Sequence, residues 1–265
     1  VNLMYASKYA STANYWKNRQ GMIDALTKFG TAKTKAGQEA KFDKWANKPE
    51  NKVKYGNVIA TINKYYNAKN QKSSHDSFLM QLLRTSAYGA MPANLGNGLM
   101  QYASENEAKR AEMLPRLNDA IEGTYTEFYA PIEKDVLAAQ LNLYAKKGAA
   151  YGLPTMVAEL KANNNGDFTK FVNDATEKSI FTSKEKLEKY LANPDAEVIK
   201  NDPLYQMSLD LMKQYRAKSE ELAALENDFQ KAFRTLVEGL RESKLNTISY
   251  PDANSTLRLT YGKVR

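Results

Sequence analysis

Residues 202–240 read DPLYQMSLDLMKQYRAKSEELAALENDFQKAFRTLVEGL. Asp202 is a good helix cap and Pro203 suits the first helical position, where a missing N–H costs nothing. Beyond them Leu204, Leu211, Tyr215, Leu222, Leu225, Phe229, Ala232, Leu236 and Leu240 recur at three- and four-residue intervals, which puts them on one helical face. The pattern predicts a single helix of about 40 residues, roughly 60 Å long at ~1.5 Å per residue. A helix of that length serves as a bundle spine or a coiled-coil arm. Lys218 at a seam position and Gly239 near the end argue against a pure coiled coil.

Working back toward the N-terminus, the same period predominates. One helix is expected from Leu3 to Phe29, with Tyr5, Tyr9, Thr12 and Trp16 on one face and Gly30 as its stop. A second is expected over 35–47, ending before Pro49. A third, over 52–68, places Val53, Val58, Ile59, Ile62 and Tyr66 on an apolar face. The polar stretch Asn70–Ser74 reads as a connection, leading to a helix over 76–90. Gly89–Gly98 reads as a glycine- and proline-marked break. Ser104, with Glu107 three residues on, has the form of a capping box. Pro115 and Pro131 punctuate the next stretch, with a helix over 131–147. Shorter helices are expected near 154–162, 167–178 and 184–192, with Thr182 paired to Glu185 and Asn193 before Pro194 as start signals. Past Lys244 the period changes. Tyr250–Asn254 reads as a turn, and Leu257, Leu259 and Tyr261 alternate as in a strand. A lone strand cannot satisfy its own backbone, so the expectation is a strand that joins a sheet outside this chain. The fold class is therefore all-α, a multi-helix bundle-like domain with one long C-terminal helix and a terminal β-strand.

Composition fits a globular chain: 43% hydrophobic and 26% charged residues. No apolar run approaches the ~20 residues of a membrane span, so no membrane insertion is expected. With no cysteine, disulfides, thiolate catalysis and Cys-ligated metals are excluded. The net charge of +8 is concentrated at one end, since residues 1–72 hold 14 Lys/Arg against 4 Asp/Glu. A solvated lysine-rich surface accounts for this more economically than an anion- or nucleic-acid-binding face.

Chemistry is sparse. His75 is the only histidine; its neighbour Asp76 points elsewhere on a helix, and a surface or capping role is expected. No Gly-x-Ser-x-Gly elbow, His-Glu-x-x-His or calcium-loop pattern occurs, and no cofactor or metal is expected. Glu220–Glu221 and Glu226–Asp228 read as solvated charges. Tyr5, Tyr9, Tyr15, Trp16, Tyr55, Tyr65 and Tyr66 interleave with lysines as a base-stacking platform would, but their helical spacing favours core packing.

Two segments carry more. Tyr5-Ala-Ser-Lys-Tyr-Ala-Ser-Thr-Ala-Asn-Tyr-Trp-Lys-Asn18 resembles a helix motif of the bacterial dipeptidyl-peptidase 7/11 family of serine exopeptidases. Tyr250-Pro-Asp-Ala-Asn-Ser-Thr-Leu-Arg-Leu-Thr-Tyr-Gly262 resembles that family's return into its second β-barrel. The resemblance implies a chymotrypsin-like double barrel with a large helical insertion that caps the cleft. On that reading residues 1–246 form the cap domain, and residues 247–265 the turn and first strand of the second barrel. The triad would lie outside this chain, so no catalytic residue is assigned here and the chain alone should be inactive. The family's substrate-binding asparagine, which holds the free amino group, matches Asn14. The implied partner is a peptide substrate, with a homodimer of the parent also expected and no nucleic acid; the implied location is periplasmic or secreted. The competing readings are a non-catalytic helical interaction module and a basic nucleic-acid or membrane-surface binder.

Overall fold

The computed structural model describes residues 2–245, and the regular elements among them are all helical. The expected strand at 256–261, with the rest of segment 247–265, lies outside the described residues. In chain order the helices are α1 (Asn2–Lys28), α2 (Thr31–Ala46), α3 (Pro49–Tyr55), α4 (Val58–Thr85), α5 (Ala87–Ser104), α6 (Glu107–Tyr125), α7 (Ala130–Leu143), α8 (Thr155–Asn163), α9 (Thr169–Lys178), α10 (Lys184–Ala192), α11 (Ala196–Lys200), α12 (Pro203–Arg216) and α13 (Glu220–Glu242). A π-turn at Tyr144–Gly148 and 3-10 turns at Ala149–Tyr151 and Ile180–Thr182 complete the set.

Several expected boundaries move. Residues 202–240 do not form one helix. Ala217 leaves α12 with extended backbone (φ −62°, ψ 129°), and Ser219 restarts the chain by accepting a hydrogen bond from the Leu222 N–H. The apolar spacing carries on across this break, which is why the sequence hides it. Gly30 ends α1 in the left-handed conformation as expected (φ 61°). The 52–68 helix divides at Gly56–Asn57 into α3 and α4, leaving Val53 99% exposed rather than on an apolar face. Asn70–Ser74, expected as a connection, is interior to α4.

Gly89–Gly98 is not a break but the body of α5. Its glycines serve close approach instead of turning. A Cβ on Gly89 would sit 1.8 Å from the Leu82 carbonyl oxygen, and one on Gly96 would sit 2.5 Å from the Tyr205 ring. Pro92 falls in the second turn, and the next amide, Ala93 N–H, donates to Ser208 Oγ at 3.2 Å. The cap expected at Ser104 belongs to Asn106, whose side chain accepts from Lys109 N–H at 3.1 Å; Ser104 closes α5. Thr182 likewise yields to Ser183 as the cap of α10. Pro115 is carried inside α6 without ending it. Asp202 and Pro203 start α12 as expected, with Asp202 Oδ1 accepting from Leu204 N–H (2.9 Å) and Tyr205 N–H (3.1 Å).

The chain divides into two compact units. The first comprises residues 2–17 and 67–223. Its core gathers fully buried side chains of α4, α5, α7, α9, α10 and α12, among them Leu79, Tyr88, Leu99, Leu137, Val172, Leu187, Leu204 and Leu211. At about 1.5–3 kcal/mol per large apolar side chain, this burial drives folding of the unit. Tyr205 Oη also donates to Asn97 Oδ1 at 3.0 Å, which fixes the register of α12 on α5. The second unit comprises residues 18–66 and 224–245. Its core is Phe42, Ala46, Tyr55, Val58, Ile62 and Ala232, flanked by Trp45, Phe229, Leu236 and Leu240. Tyr65 stacks on Phe229 with ring centroids 4.0 Å apart, and a Cβ on Gly239 of α13 would sit only 2.9 Å from the Phe42 ring and 3.0 Å from the Tyr55 ring.

Candidate functional site

The first half of α1 belongs to the larger unit and carries Asn14. No apolar stripe seats it: Tyr9 is 77% exposed, and Tyr15 and Trp16, expected as packing residues, are 60% and 63% exposed. Polar contacts seat it instead. Tyr5 Oη donates to Glu133 Oε1 at 2.9 Å, and Lys8 Nζ reaches the Glu127 carbonyl at 3.4 Å while lying 5.0 Å from the Tyr5 ring centroid.

Glu133 is the organising group. It lies in the first turn of α7 and is only 5% exposed. A buried carboxylate needs donors on both oxygens. Oε1 takes the Tyr5 hydroxyl, and Oε2 takes the Ala87 N–H at 2.6 Å. Ala87 opens α5, so the carboxylate also faces that helix's positive end. The Glu133 carbonyl meanwhile accepts from Ser86 Oγ at 2.9 Å, and Ser86 Oγ in turn caps α5 by accepting from Tyr88 N–H at 3.2 Å. Burial, and then the bond to Glu133, push the Tyr5 phenol up to about 12, so it remains a donor at any working pH. Burial and the same carboxylate push the Tyr88 phenol above its ordinary range as well.

Tyr5 and Glu133 line a groove of about 1010 Å³ that also takes in Thr12, Arg84, Glu127 and Phe128. Ser7 and Ser11 line it too. Asn14 continues their stripe at the i, i+4, i+7 spacing of one helical face, and its side chain is exposed. The groove's lining on α1 ends at Thr12, two residues short of Asn14, and the helix is tied to a buried carboxylate 128 residues along the chain from Tyr5. No local pattern announced Glu133; only its place in a first helical turn hints at a capping role.

His75 has neither the surface nor the capping role expected, since it lies inside α4. It is partly buried, and its Nε2 lies 2.7 Å from Tyr144 Oη, whose proton is donated to the Gly152 carbonyl at 2.8 Å. A hydroxyl has one proton to give, so Nε2 carries the proton that joins the two side chains. That role is structural, pinning the π-turn to α4. Among the described residues no group of three or more His, Cys, Asp or Glu side chains is placed to hold a metal, and no helix is long and apolar enough to cross a membrane.

The Peptidase S46 family model matches residues 1–265. The chain is 43% identical over its whole length to Dipeptidyl-peptidase 7 of Capnocytophaga gingivalis, and 27% identical to the Asp/Glu-specific dipeptidyl-peptidase of Porphyromonas endodontalis. It spans 37% of the length of each of these relatives. Among solved structures it is similar to Porphyromonas endodontalis DPP11, with a TM-score of 0.74 at 22% identity over 92% of this chain and 35% of that one. The same protein in complex with the dipeptide Arg-Glu gives a TM-score of 0.68 at 23% identity, again over 92% and 35%. At that identity the likeness speaks for the fold. The family match over every residue speaks for descent: the chain belongs to the Peptidase S46 family.

Proposed function

We propose that this chain is the helical domain of a serine-type dipeptidyl-peptidase that releases dipeptides from peptide N-termini in the periplasm or outside the cell. The observation that carries the reading is the 43% identity, over the whole chain, to a relative named Dipeptidyl-peptidase 7. The domain closes one end of the cleft, and the acyl-transfer machinery of His, Asp and Ser comes from parts of the parent beyond these residues. Asn14 accepts a hydrogen bond from the substrate's α-ammonium group. An exopeptidase must tell a chain end from a chain interior, and the charged amine is what differs. A neutral amide oxygen suits this task because it needs no counter-charge while the cleft is empty. Its exposure, and its stripe shared with Ser7 and Ser11 at the groove, favour this assignment.

The test is kinetic and uses the full-length parent. Hydrogen bonds to charged groups are worth about 1.5–3 kcal/mol. Asn14→Ala should therefore lower kcat/KM for free-amine dipeptidyl substrates by about 10- to 150-fold, with little change in Tm because alanine suits a helix better than asparagine. A properly folded variant with unchanged kcat/KM would remove Asn14 from the site. Turnover of a dipeptidyl substrate by residues 1–265 alone, blocked by a serine-directed inhibitor, would refute the placement of the catalytic machinery elsewhere.

A further inference from the structure

Asn14 sits on a helix whose first half has almost no apolar seat, yet a substrate-binding group must be held to within a fraction of an ångström. The structure assigns that task to the Tyr5–Glu133 pair: we propose that these two side chains are positioning residues that set where α1 lies, and through it where Asn14 meets the substrate amine. The inference rests on Asn14 being the amine-binding residue and adds the device that holds it.

The geometry supports the assignment at three points. Glu133 is itself anchored: it is buried, and its second oxygen and its carbonyl are bound by the start of α5, through Ala87 N–H and Ser86 Oγ. Its remaining oxygen faces α1 and takes the Tyr5 hydroxyl at 2.9 Å, a charge-assisted bond. Tyr5 is nine residues before Asn14 on one uninterrupted helix, so a shift at Tyr5 is carried along the backbone to Asn14. A further polar tie of this half-helix to its unit, Lys8 to the Glu127 carbonyl, is longer at 3.4 Å and solvent-exposed. The pair also lines the groove, so the clamp and the surface it positions are contiguous.

The test compares wild type, Tyr5→Phe, Asn14→Ala and the double variant, all in the full-length parent. Tyr5→Phe deletes one hydroxyl and leaves Glu133 bound to Ala87 and Ser86, so the unit still folds. Two readouts are taken. Hydrogen exchange across residues 2–17 reports the hold on α1 directly, and should speed up in Tyr5→Phe while exchange in α5 and α7 stays at the wild-type rate. Kinetics report the consequence. Displacement of a binding group by about 1 Å can cost on the order of 100-fold, so kcat/KM should fall about 10-fold or more in Tyr5→Phe. In the Asn14→Ala background the same change should cost nothing further, because the group being positioned is gone. Unchanged exchange in Tyr5→Phe overturns the clamp whatever Asn14 does. Losses that multiply in the double variant overturn its action through Asn14. If Asn14→Ala alone is neutral while exchange still speeds up, the reading of Asn14 fails and the hold on α1 stands. Glu133→Gln provides a second check: the oxygen left for Tyr5 is neutral, which weakens that bond, and the amide NH2 meets the Ala87 N–H in place of an acceptor, so exchange should speed up in α1 and in the first turn of α5.

Discussion

The two units solve the same packing problem on different scales. The larger buries whole side chains from many helices around Leu79, Leu99, Leu137 and Leu204, and can place a glycine wherever two helices must nearly touch. The smaller gathers six buried residues into its core cluster, and relies on aromatic faces: Tyr65 on Phe229, and Phe42 beside Trp45 with ring centroids 5.7 Å apart. A large core can lose a side chain and survive, whereas a core of six has little to lose. Tolerance to mutation should therefore follow the unit, not the burial of the individual residue.

The sharpest challenge to that view is a site in the larger unit where even one methyl is too much. Gly89→Ala would set a Cβ 1.8 Å from the Leu82 carbonyl, a backbone contact with no flexible side chain to give way. The cost should exceed the ~5 kcal/mol of a severe core truncation, and should appear as loss of the cooperative unfolding transition. A stable Gly89→Ala protein would mean that α4 and α5 separate readily. Next in size is Phe42→Ala, which removes a ring 1% exposed from the smaller core. A loss of about 3–5 kcal/mol is expected, enough to open that unit, so that its amides exchange freely while those of α5 and α12 stay protected. Uniform acceleration in both units would break the comparison.

A smaller effect comes from acid. Burial lowers the His75 pKa, with Asp76 opposing and Lys72 reinforcing the shift. The folded pKa therefore lies below the unfolded value of ~6.5. Between the two, the unfolded chain binds more protons than the folded one. The contribution of His75 is thus complete above about pH 6.5 and declines as pH falls toward the folded value. His75 is the only imidazole in the chain, so this decline should vanish in His75→Gln when unfolding is measured at pH 7 and pH 5. The smallest effect is expected on the surface of the smaller unit. Lys54 reaches Glu238 at 2.6 Å and Glu242 at 3.4 Å, but all three side chains are about half exposed. Exposed pairs of this kind add little, and Lys54→Ala should leave Tm unchanged within error. A large drop would give the smaller unit an electrostatic stabilisation that its core lacks.

Much of the helical order is legible in local chemistry. Asp202 with Pro203, Gly30 and the short helices after Pro154 act through neighbours within four residues, and such signals survive without tertiary context. The misreadings have a common cause. The glycines at 89–98 look like a break, although Gly89 and Gly96 are set by Leu82 and Tyr205, and neither role shows in a local pattern of spacing. The apolar spacing across 202–240 continues through Ala217–Ser219 although α12 buries its apolar side chains in the core of the larger unit and α13 in that of the smaller. Of the candidate site, the motif around Asn14 is visible as a resemblance. The residues that seat its helix are not, since Tyr5 and Glu133 meet only once the fold exists.

That separation has a consequence during synthesis. The first half of α1 leaves the ribosome 128 residues before the carboxylate that holds it. At roughly 5–20 residues per second, about 6–26 s pass before Glu133 is made. In that interval Tyr5 has no carboxylate to bind and the half-helix has no apolar seat. The N-terminal segment of the larger unit is thus made long before it can be fixed, and throughout the wait it stays open to a chaperone or a protease.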